Sequence, residues 1–300
     1  MNWTDIDTWI VVTGVLISMA CAIPGVFLLL NKQSMLGDAI SHAVLPGLAI
    51  AFLLSGSREP QTMVIGAVCA GLLTAVLSGS IQRSGNVESG ASLGVVFCSL
   101  FALGLILIRL AADHVDLDPG CVLYGAIELA VVDVGPVPRV AWLSAGILVF
   151  NLLLSLIFHK ELRLAAFDPR FASTAGIPPQ LMRHGLTVVT AITSVIAFES
   201  VGSILVVAML IVPGATALLL CRRMTGALII SLLVAAISAT GGHLAAITIA
   251  PTLLGKLTNN PQMAALSSAG MMAAVSGILF FLVLLATNLR AALAVPTDKV

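Results

Sequence analysis

The sequence predicts an all-α fold, a polytopic transmembrane helical bundle of eight or nine spans that forms a single domain over residues 1–300. Of the 300 residues, 59% are hydrophobic and only 9% are charged, whereas an ordinary soluble domain has about 25% charged residues. The mean hydropathy is +1.11. This composition excludes a nucleic-acid binder, a secreted disulfide scaffold and a disordered chain.

Apolar runs of about 20 residues, the length that crosses a bilayer, give the spans in chain order. A further stretch, about 184–221, is too long for one span and suits two, with a break near Glu199 to Gly202. A re-entrant element in that stretch would make the count eight instead of nine. The other runs cover about residues 9–30, 34–54, 61–81, 90–110, 136–158, 225–250 and 263–289.

The two ends of the chain and the loop charges predict the orientation. The N-terminus carries Asp5 and Asp7 but no base, so it lacks the basic region of a cleavable signal peptide. With the N-terminus outside and the C-terminus cytoplasmic, the loops obey the positive-inside rule. The inner side then carries ten of the fourteen basic residues, namely Lys32, Arg83, Lys160, Arg163, Arg170, Arg183, Arg222, Arg223, Arg290 and Lys299.

Two polar residues, Asp38 and His42, lie inside the second span. An ionisable group near the centre of a span costs about 2.5–3.5 kcal/mol, so these residues need an explanation. Their i,i+4 spacing places carboxylate and imidazole on one helix face, where they could bind Mn²⁺, Fe²⁺ or Zn²⁺. Pro46 has no N–H, which leaves the His42 carbonyl without its usual helical partner. The alternative is that the two side chains only pair with each other or pack between helices; their place in the span favours an ion pathway.

Other polar groups allow more than one interpretation. Glu199 is a possible third metal ligand, or it faces water at a helix end, and both remain open. The outer segment 111–135 carries Asp113, His114, Asp116 and Asp118 at loose spacing. That spacing favours solvated loop charge or the docking of a partner protein over a fixed metal site.

The cysteines form no CxxC pair, so the sequence indicates neither a zinc site nor a disulfide framework. Four of them, Cys21, Cys69, Cys98 and Cys221, are expected to be small buried hydrophobic residues, since they fall in apolar runs. Cys121 lies in the outer loop, and the sequence does not indicate its state.

The inner segment 159–183 predicts a short amphipathic helix on the cytoplasmic face. Asp168 followed by Pro169 is typical of an N-cap and a first-turn proline, and Gly176 of a C-terminal stop.

Four segments, in order, resemble the permease subunits of bacterial metal-ion ABC importers, the family that carries manganese, zinc and iron. Gly37–Gly47, Gly-Asp-Ala-Ile-Ser-His-Ala-Val-Leu-Pro-Gly, is the first. Asp116–Gly125 resembles the outer loop of the manganese/iron branch, Phe167–Gly176 the cytoplasmic coupling segment, and Val201–Pro213 a late transmembrane signature.

The resemblance implies a multi-pass subunit of the bacterial cytoplasmic (inner) membrane. Its partners would be a second permease subunit (a homo- or heterodimer), two ATP-binding cassette subunits and an extracytoplasmic metal-binding protein, together with membrane lipid but no nucleic acid. Asp38 and His42 match the family's metal-coordinating pair. Arg170 departs from the family pattern, in which many relatives carry an acid. The residues that match the ATPase-coupling helix are Phe167, Asp168, Pro169, Phe171, Ala172 and Gly176.

The function implied is ATP-driven uptake of a divalent transition metal, with manganese expected first and iron or zinc next. The metal is cargo, no cofactor is permanently bound, and a separate subunit hydrolyses ATP, so the chain is not an enzyme. A gradient-driven secondary metal transporter is the alternative, although segment 159–183 favours the ABC interpretation. An intramembrane enzyme would need a set such as His-Glu-x-x-His or a serine–lysine pair, and the chain has neither.

Overall fold

A computed structural model describes residues 3–56, 60–85, 87–111, 127–132, 137–258 and 266–293, and every regular element in these ranges is an α-helix. Nine of these helices are long and apolar enough to cross a membrane, so the described part of the chain supports nine spans rather than eight. The helices are α1 Asp5–Leu30, α2 Leu36–Ser55, α3 Pro60–Gly85, α4 Ser89–Ala111, α5 Ile127–Ala130, α6 Arg139–Ile157, α7 His159–Phe167, α8 Pro169–Thr174, α9 Pro179–Val201, α10 Ser203–Leu220, α11 Met224–Thr258 and α12 Ser268–Leu293.

The break predicted within 184–221 is confirmed at Gly202. This residue alone separates α9 from α10, and its backbone angles are φ 79° and ψ 167°. Only glycine adopts this region readily, because a Cβ there would collide with the neighbouring peptide groups. A single residue without a side chain therefore divides one long apolar stretch into two helices.

Helix α1 forms the centre of one group of helices, where it packs against α6, α9, α10 and α11. A buried polar contact crosses this group. The Nδ2 atom of Asn151, on α6, donates to the Ala20 carbonyl of α1 at 2.9 Å and to Oγ1 of Thr193 on α9, also at 2.9 Å. Because lipid tails are as apolar as leucine, interhelical hydrogen bonds of this kind contribute to association inside a membrane. Asn151 thus ties three helices together.

Helix α2 forms the centre of a second group through close contacts with α3 and α4. Gly47 on α2 and Gly66 on α3 meet backbone to backbone, and a Cβ on Gly47 would overlap the Gly66 carbonyl oxygen. A Cβ on Gly104 of α4 would lie 2.8 Å from Cδ of Pro46. Small residues allow helix backbones to approach this closely. Helices α9 and α10 also contact α2 and join this group to the one around α1.

The expectation that four cysteines are buried is wrong for two of them. Cys21 is buried and Cys221 is partly buried, but Cys69 and Cys98 are exposed on the surface of the chain. In a membrane, an apolar side chain is stable facing lipid, so an apolar run does not reveal which of its residues face protein. Cys121 lies outside the described residues.

The Gly47–Gly66 contact leads to a stability prediction. We expect Gly47→Ala to lower the free energy of unfolding by about 1–3 kcal/mol, the usual cost of overpacking, because the new Cβ overlaps a backbone oxygen. Thermal unfolding of the detergent-purified protein measures the change. Gly94→Ala on α4 is the matched control, since a Cβ there meets nothing within 4 Å. Equal stability of both variants would contradict the close approach of α2 and α3.

Candidate functional site

Asp38 and His42 are distinguished by exposure from the rest of their helix segment. From Leu36 to Gly47, all other residues of α2 are buried. The side chains of His42 and Asp38 are 26% and 38% exposed, respectively. The packing of α2 against its neighbours therefore leaves one open strip along residues 36–47, and the two ionisable residues occupy that strip.

The two side chains are close enough to share one ion. His42 Nε2 lies 3.4 Å from Asp38 Oδ1, and an ion at ordinary ligand distances of about 2.0–2.2 Å fits between atoms at that separation. The imidazole ring packs against two rings of α4, with centroid distances of 4.9 Å to Phe97 and 5.6 Å to Phe101. His42 Nδ1 is buried and has no hydrogen-bond partner among the described residues. Aromatic packing against α4 and the Asp38 contact at Nε2 therefore orient the ring, without a hydrogen bond at Nδ1.

The pair is an open site. Among the described residues, no group of three or more histidine, cysteine, aspartate or glutamate side chains could hold a metal ion. An ion held by these two side chains alone would leave most of its coordination positions to water or to another subunit. Such a site suits brief binding better than storage.

The inner segment 159–183, which contains the match to the coupling helix, forms two short helices, α7 and α8, instead of the one predicted. The predicted cap is confirmed: Oδ1 of Asp168 accepts a hydrogen bond from the Phe171 N–H at 3.0 Å, and Pro169 is the first helical residue. A residue before proline avoids the helical region, and Asp168 accordingly has φ −141° and ψ 84°. The same residue therefore ends α7 and begins α8, which the N-cap pattern alone did not reveal.

The predicted stop at Gly176 is also confirmed. Gly176 has φ +81°, its N–H donates to the Ser173 carbonyl at 3.2 Å, and the Ile177 N–H donates to the Ala172 carbonyl at 2.9 Å. These two bonds form a Schellman motif, in which a glycine with positive φ ends the helix. Both ends of α8 are thus determined by local sequence.

The coupling segment presents aromatic side chains to its surroundings. Phe167 and Phe171 are 58% and 57% exposed, whereas Ala172 is fully buried and anchors α8 against the bundle. Exposed apolar patches rimmed by polar residues mark interaction sites, and the exposed residues Asp168 and Arg170 lie between these two rings in the sequence. This end of the bundle therefore has the features of a docking site.

Several predicted site residues lie beyond what the structure describes. Asp113, His114, Asp116 and Asp118 fall outside the described residues. Glu199 belongs to the last turn of α9, but its side chain is outside the described part of the chain. The structure therefore assembles Asp38 with His42, and separately the coupling segment.

The sequence did not predict a polar network around His243. This histidine, 1% exposed, lies with Nδ1 3.0 Å from Ser268 Oγ and Nε2 3.4 Å from Asp7 Oδ1. The Ser268 N–H donates to Glu128 Oε1 at 2.6 Å. The network links α1, α5, α11 and α12, and only the Thr4–Asp7 capping box at its edge has a local sequence signal.

In the described part of the chain, nine helices long and apolar enough to cross a membrane, an open pair of ionisable residues on a packed helix and a capped segment with exposed aromatic rings are together the features of a membrane transport subunit. The profile of the ABC 3 transport family matches residues 5–287. The chain belongs to this family and is a permease subunit of the metal-ion ABC importer type. It is not an enzyme, since a separate subunit carries the ATPase in these importers.

Named relatives and a solved structure agree with this assignment. The "Manganese transport system membrane protein MntD" of Bacillus subtilis is 43% identical over 245 residues, which cover 79% of this chain and 82% of the relative. The "Zinc transport system membrane protein TroD" of Treponema pallidum is 37% identical over 281 residues, 92% of this chain and 72% of that one. The structure of PsaBC from Streptococcus pneumoniae in complex with Fab superposes with a TM-score of 0.71 at 29% identity, covering 93% of this chain and 91% of that chain.

The cap of α8 leads to a prediction about local stability. Removing an N-cap side chain costs about 1 kcal/mol, so Asp168→Ala should speed hydrogen exchange of the α8 amides roughly fivefold. Mass spectrometry of peptides covering 169–176 measures the exchange. Asp168→Ser keeps a capping oxygen and serves as the control. Unchanged exchange in Asp168→Ala would show that the cap does not hold α8.

Proposed function

We propose that this permease carries a divalent transition metal ion into the cytoplasm, manganese first, with iron or zinc next. The observation that carries the proposal is the Asp38–His42 pair. Its oxygen and nitrogen lie 3.4 Å apart on the open strip of a packed membrane-spanning helix. A carboxylate and an imidazole without a thiolate suit manganese, iron and zinc. The names of the relatives from Bacillus subtilis and Treponema pallidum, which specify manganese and zinc, support the same class of cargo.

The pair binds the ion transiently and replaces part of its hydration shell. Phe97 and Phe101 hold the imidazole in place, so His42 loses little freedom when it binds. A second permease subunit, identical or not, faces this strip and completes the cavity, with Glu199 as a possible further ligand. Incomplete coordination matters here because conduction requires an ion to leave as readily as it enters.

The coupling segment, Phe167–Gly176, transmits the ATP-driven motion of the ATPase subunits to the permease helices. Two ATP-binding cassette subunits dock at residues Phe167 to Gly176, where the exposed rings of Phe167 and Phe171 provide apolar contact area. Helix α9 starts just beyond this segment and contacts α7, α8 and α2. A rigid-body shift of the docked subunits would therefore reach the helix that carries the metal ligands, as in other domain-rotation mechanisms.

The proposed orientation and the docking site of the binding protein follow the charge distribution of the loops. The N-terminus lies outside and the C-terminus in the cytoplasm, and residues 1–300 form one permease domain. An extracytoplasmic metal-binding protein docks near Asp113, His114, Asp116 and Asp118, which lie outside the described residues. Since Zn²⁺ binds most sites more tightly than Mn²⁺, the choice of metal rests on that protein and on the geometry of the cavity.

The metal pair is tested by removing one ligand at a time. We expect Asp38→Asn and His42→Gln each to lower manganese uptake at least tenfold, because even an indirect partner of a metal ligand is worth about 10–100-fold in affinity. Uptake of radioactive Mn²⁺ by vesicles carrying the assembled importer measures the effect, and co-purification of the ATPase checks assembly. Ser41→Ala is the control, since Ser41 is buried on the same helix and bonds only its own turn. Wild-type uptake by both assembled variants would refute the assignment.

The coupling role is tested at Phe171. Loss of a central aromatic contact typically costs 2 kcal/mol or more, so Phe171→Ala should reduce ATPase co-purification by about 30-fold in apparent affinity. Phe281→Ala on α12, at a ring that is 68% exposed, controls for the loss of any exposed phenyl group. A gradient-driven carrier would transport metal without an ATPase, so undiminished uptake in Phe171→Ala after the ATPase is lost would favour that alternative.

A further inference from the structure

A groove beside the coupling segment collects positive charge. It has a volume of about 590 Å³, and its lining includes Lys160, Arg163, Arg222 and Arg223, together with Phe167 and Met224. No acidic residue lines it within the described part of the chain. All four bases are exposed, whereas Met224 is buried. We call this feature the basic groove.

The bases come from two parts of the chain that the fold brings together. Lys160 and Arg163 lie one turn apart on α7, which buries Leu162 and Ala165 against the bundle. Arg222 and Arg223 form the connection between α10 and α11. His159 Nε2 lies 3.4 Å from Thr225 Oγ1, which joins the start of α7 to the start of α11. Four like charges in one groove repel one another unless an anion neutralises them.

Exposed apolar helix ends precede the bases of the groove along the chain. Helix α6 ends with Leu156 and Ile157, which are 70% and 68% exposed, directly before α7. Helix α10 ends with Leu219 and Leu220, also exposed, directly before Arg222. Along the chain, Ile157 precedes Lys160 by three residues and Leu220 precedes Arg222 by two, so an exposed apolar helix end lies close to bases of the groove in both elements. A ligand that fits has an apolar part along the helices and an anionic head beyond their ends.

We propose that the basic groove binds the phosphate headgroup of an anionic glycerophospholipid, with its acyl chains along the ends of α6 and α10. Basic pockets between transmembrane helices recognise anionic headgroups in this way. The guanidinium groups of Arg163, Arg222 and Arg223 match phosphate oxygens in pairs. An acidic segment of the ATPase would use the charges but not the apolar ends. The lipid site does not depend on the metal that is carried.

The test uses the importer complex purified with its ATPase subunits from a membrane extract supplemented with equal amounts of phosphatidylglycerol and phosphatidylcholine. Native mass spectrometry counts the lipids that each complex retains. We expect wild type to retain phosphatidylglycerol, and Arg222→Gln/Arg223→Gln to retain about 30-fold less, given two lost contacts near the membrane surface. Arg222→Lys/Arg223→Lys keeps the charge and should retain most of the lipid. Arg290→Gln, at an exposed base of α12 that does not line the groove, should match wild type.

Three outcomes would overturn the proposal. The first is equal phosphatidylglycerol retention by wild type and the double glutamine variant. The second is displacement of the lipid by millimolar inorganic phosphate, since the acyl chains would then contribute nothing. The third is loss of the ATPase from the double variant with no change in lipid retention, which would assign the groove to the protein interface. Lys160→Gln, on α7, repeats the lipid measurement if the double variant unfolds.

Two measurements, lipid retention and metal uptake, distinguish a failure of the lipid-site proposal from a failure of the transport proposal. Asp38→Asn is expected to keep phosphatidylglycerol retention while it loses metal uptake. The double glutamine variant in phosphatidylcholine vesicles is expected to keep the arrangement of Asp38 and His42, because neither residue lines the groove.

Discussion

The close approach of helix backbones around α2 is the constraint on which the candidate site depends. In a bilayer, no hydrophobic force drives one apolar helix against another, so close packing must supply the attraction. Gly47 against Gly66, and Gly104 against Pro46, bring α3 and α4 into direct contact with α2. Because α4 lies this close, Phe97 and Phe101 reach the His42 ring. The packing that buries most of α2 also orients the His42 imidazole on its open strip.

Segment 167–176 and the Asp38–His42 pair are connected through a single helix. Helix α9 contacts α7 and α8 near its start and α2 along its length. It also carries Thr193, which holds Asn151 of α6, and it ends at the Gly202 break. A helix fixed at several points transmits a shift as a rigid body rather than absorbing it. The rigid unit ends at the Gly202 break, because α10 begins there as a separate helix.

Features with a local cause were predictable. The bilayer imposes a length of about 20 apolar residues, so the spans follow from hydropathy alone, and the Gly202 break follows from an apolar stretch too long for one crossing. Asp168, Pro169 and Gly176 act within one or two turns of themselves, so the ends of α8 could be recognised. The spacing of Asp38 and His42 also determines their proximity, because residues four apart share a helix face. The additional short helix α7 was not predicted, because it ends at the same Asp168 that the sequence pattern identified only as the N-cap of α8.

The sequence by itself determined the class of fold, a count of eight or nine spans, the capped helix α8 and the spacing that places a carboxylate beside an imidazole on one span. These depend on interactions along the chain or on the solvent that surrounds it. Only the tertiary structure decided which faces pack together: that Cys69 and Cys98 are exposed, that His243 meets Asp7, and that bases of α7 and of the α10–α11 connection form one groove. In lipid, the buried and the lipid-facing sides of a helix are equally apolar, so no local pattern distinguishes them, and contacts between distant segments appear only once the helices are placed.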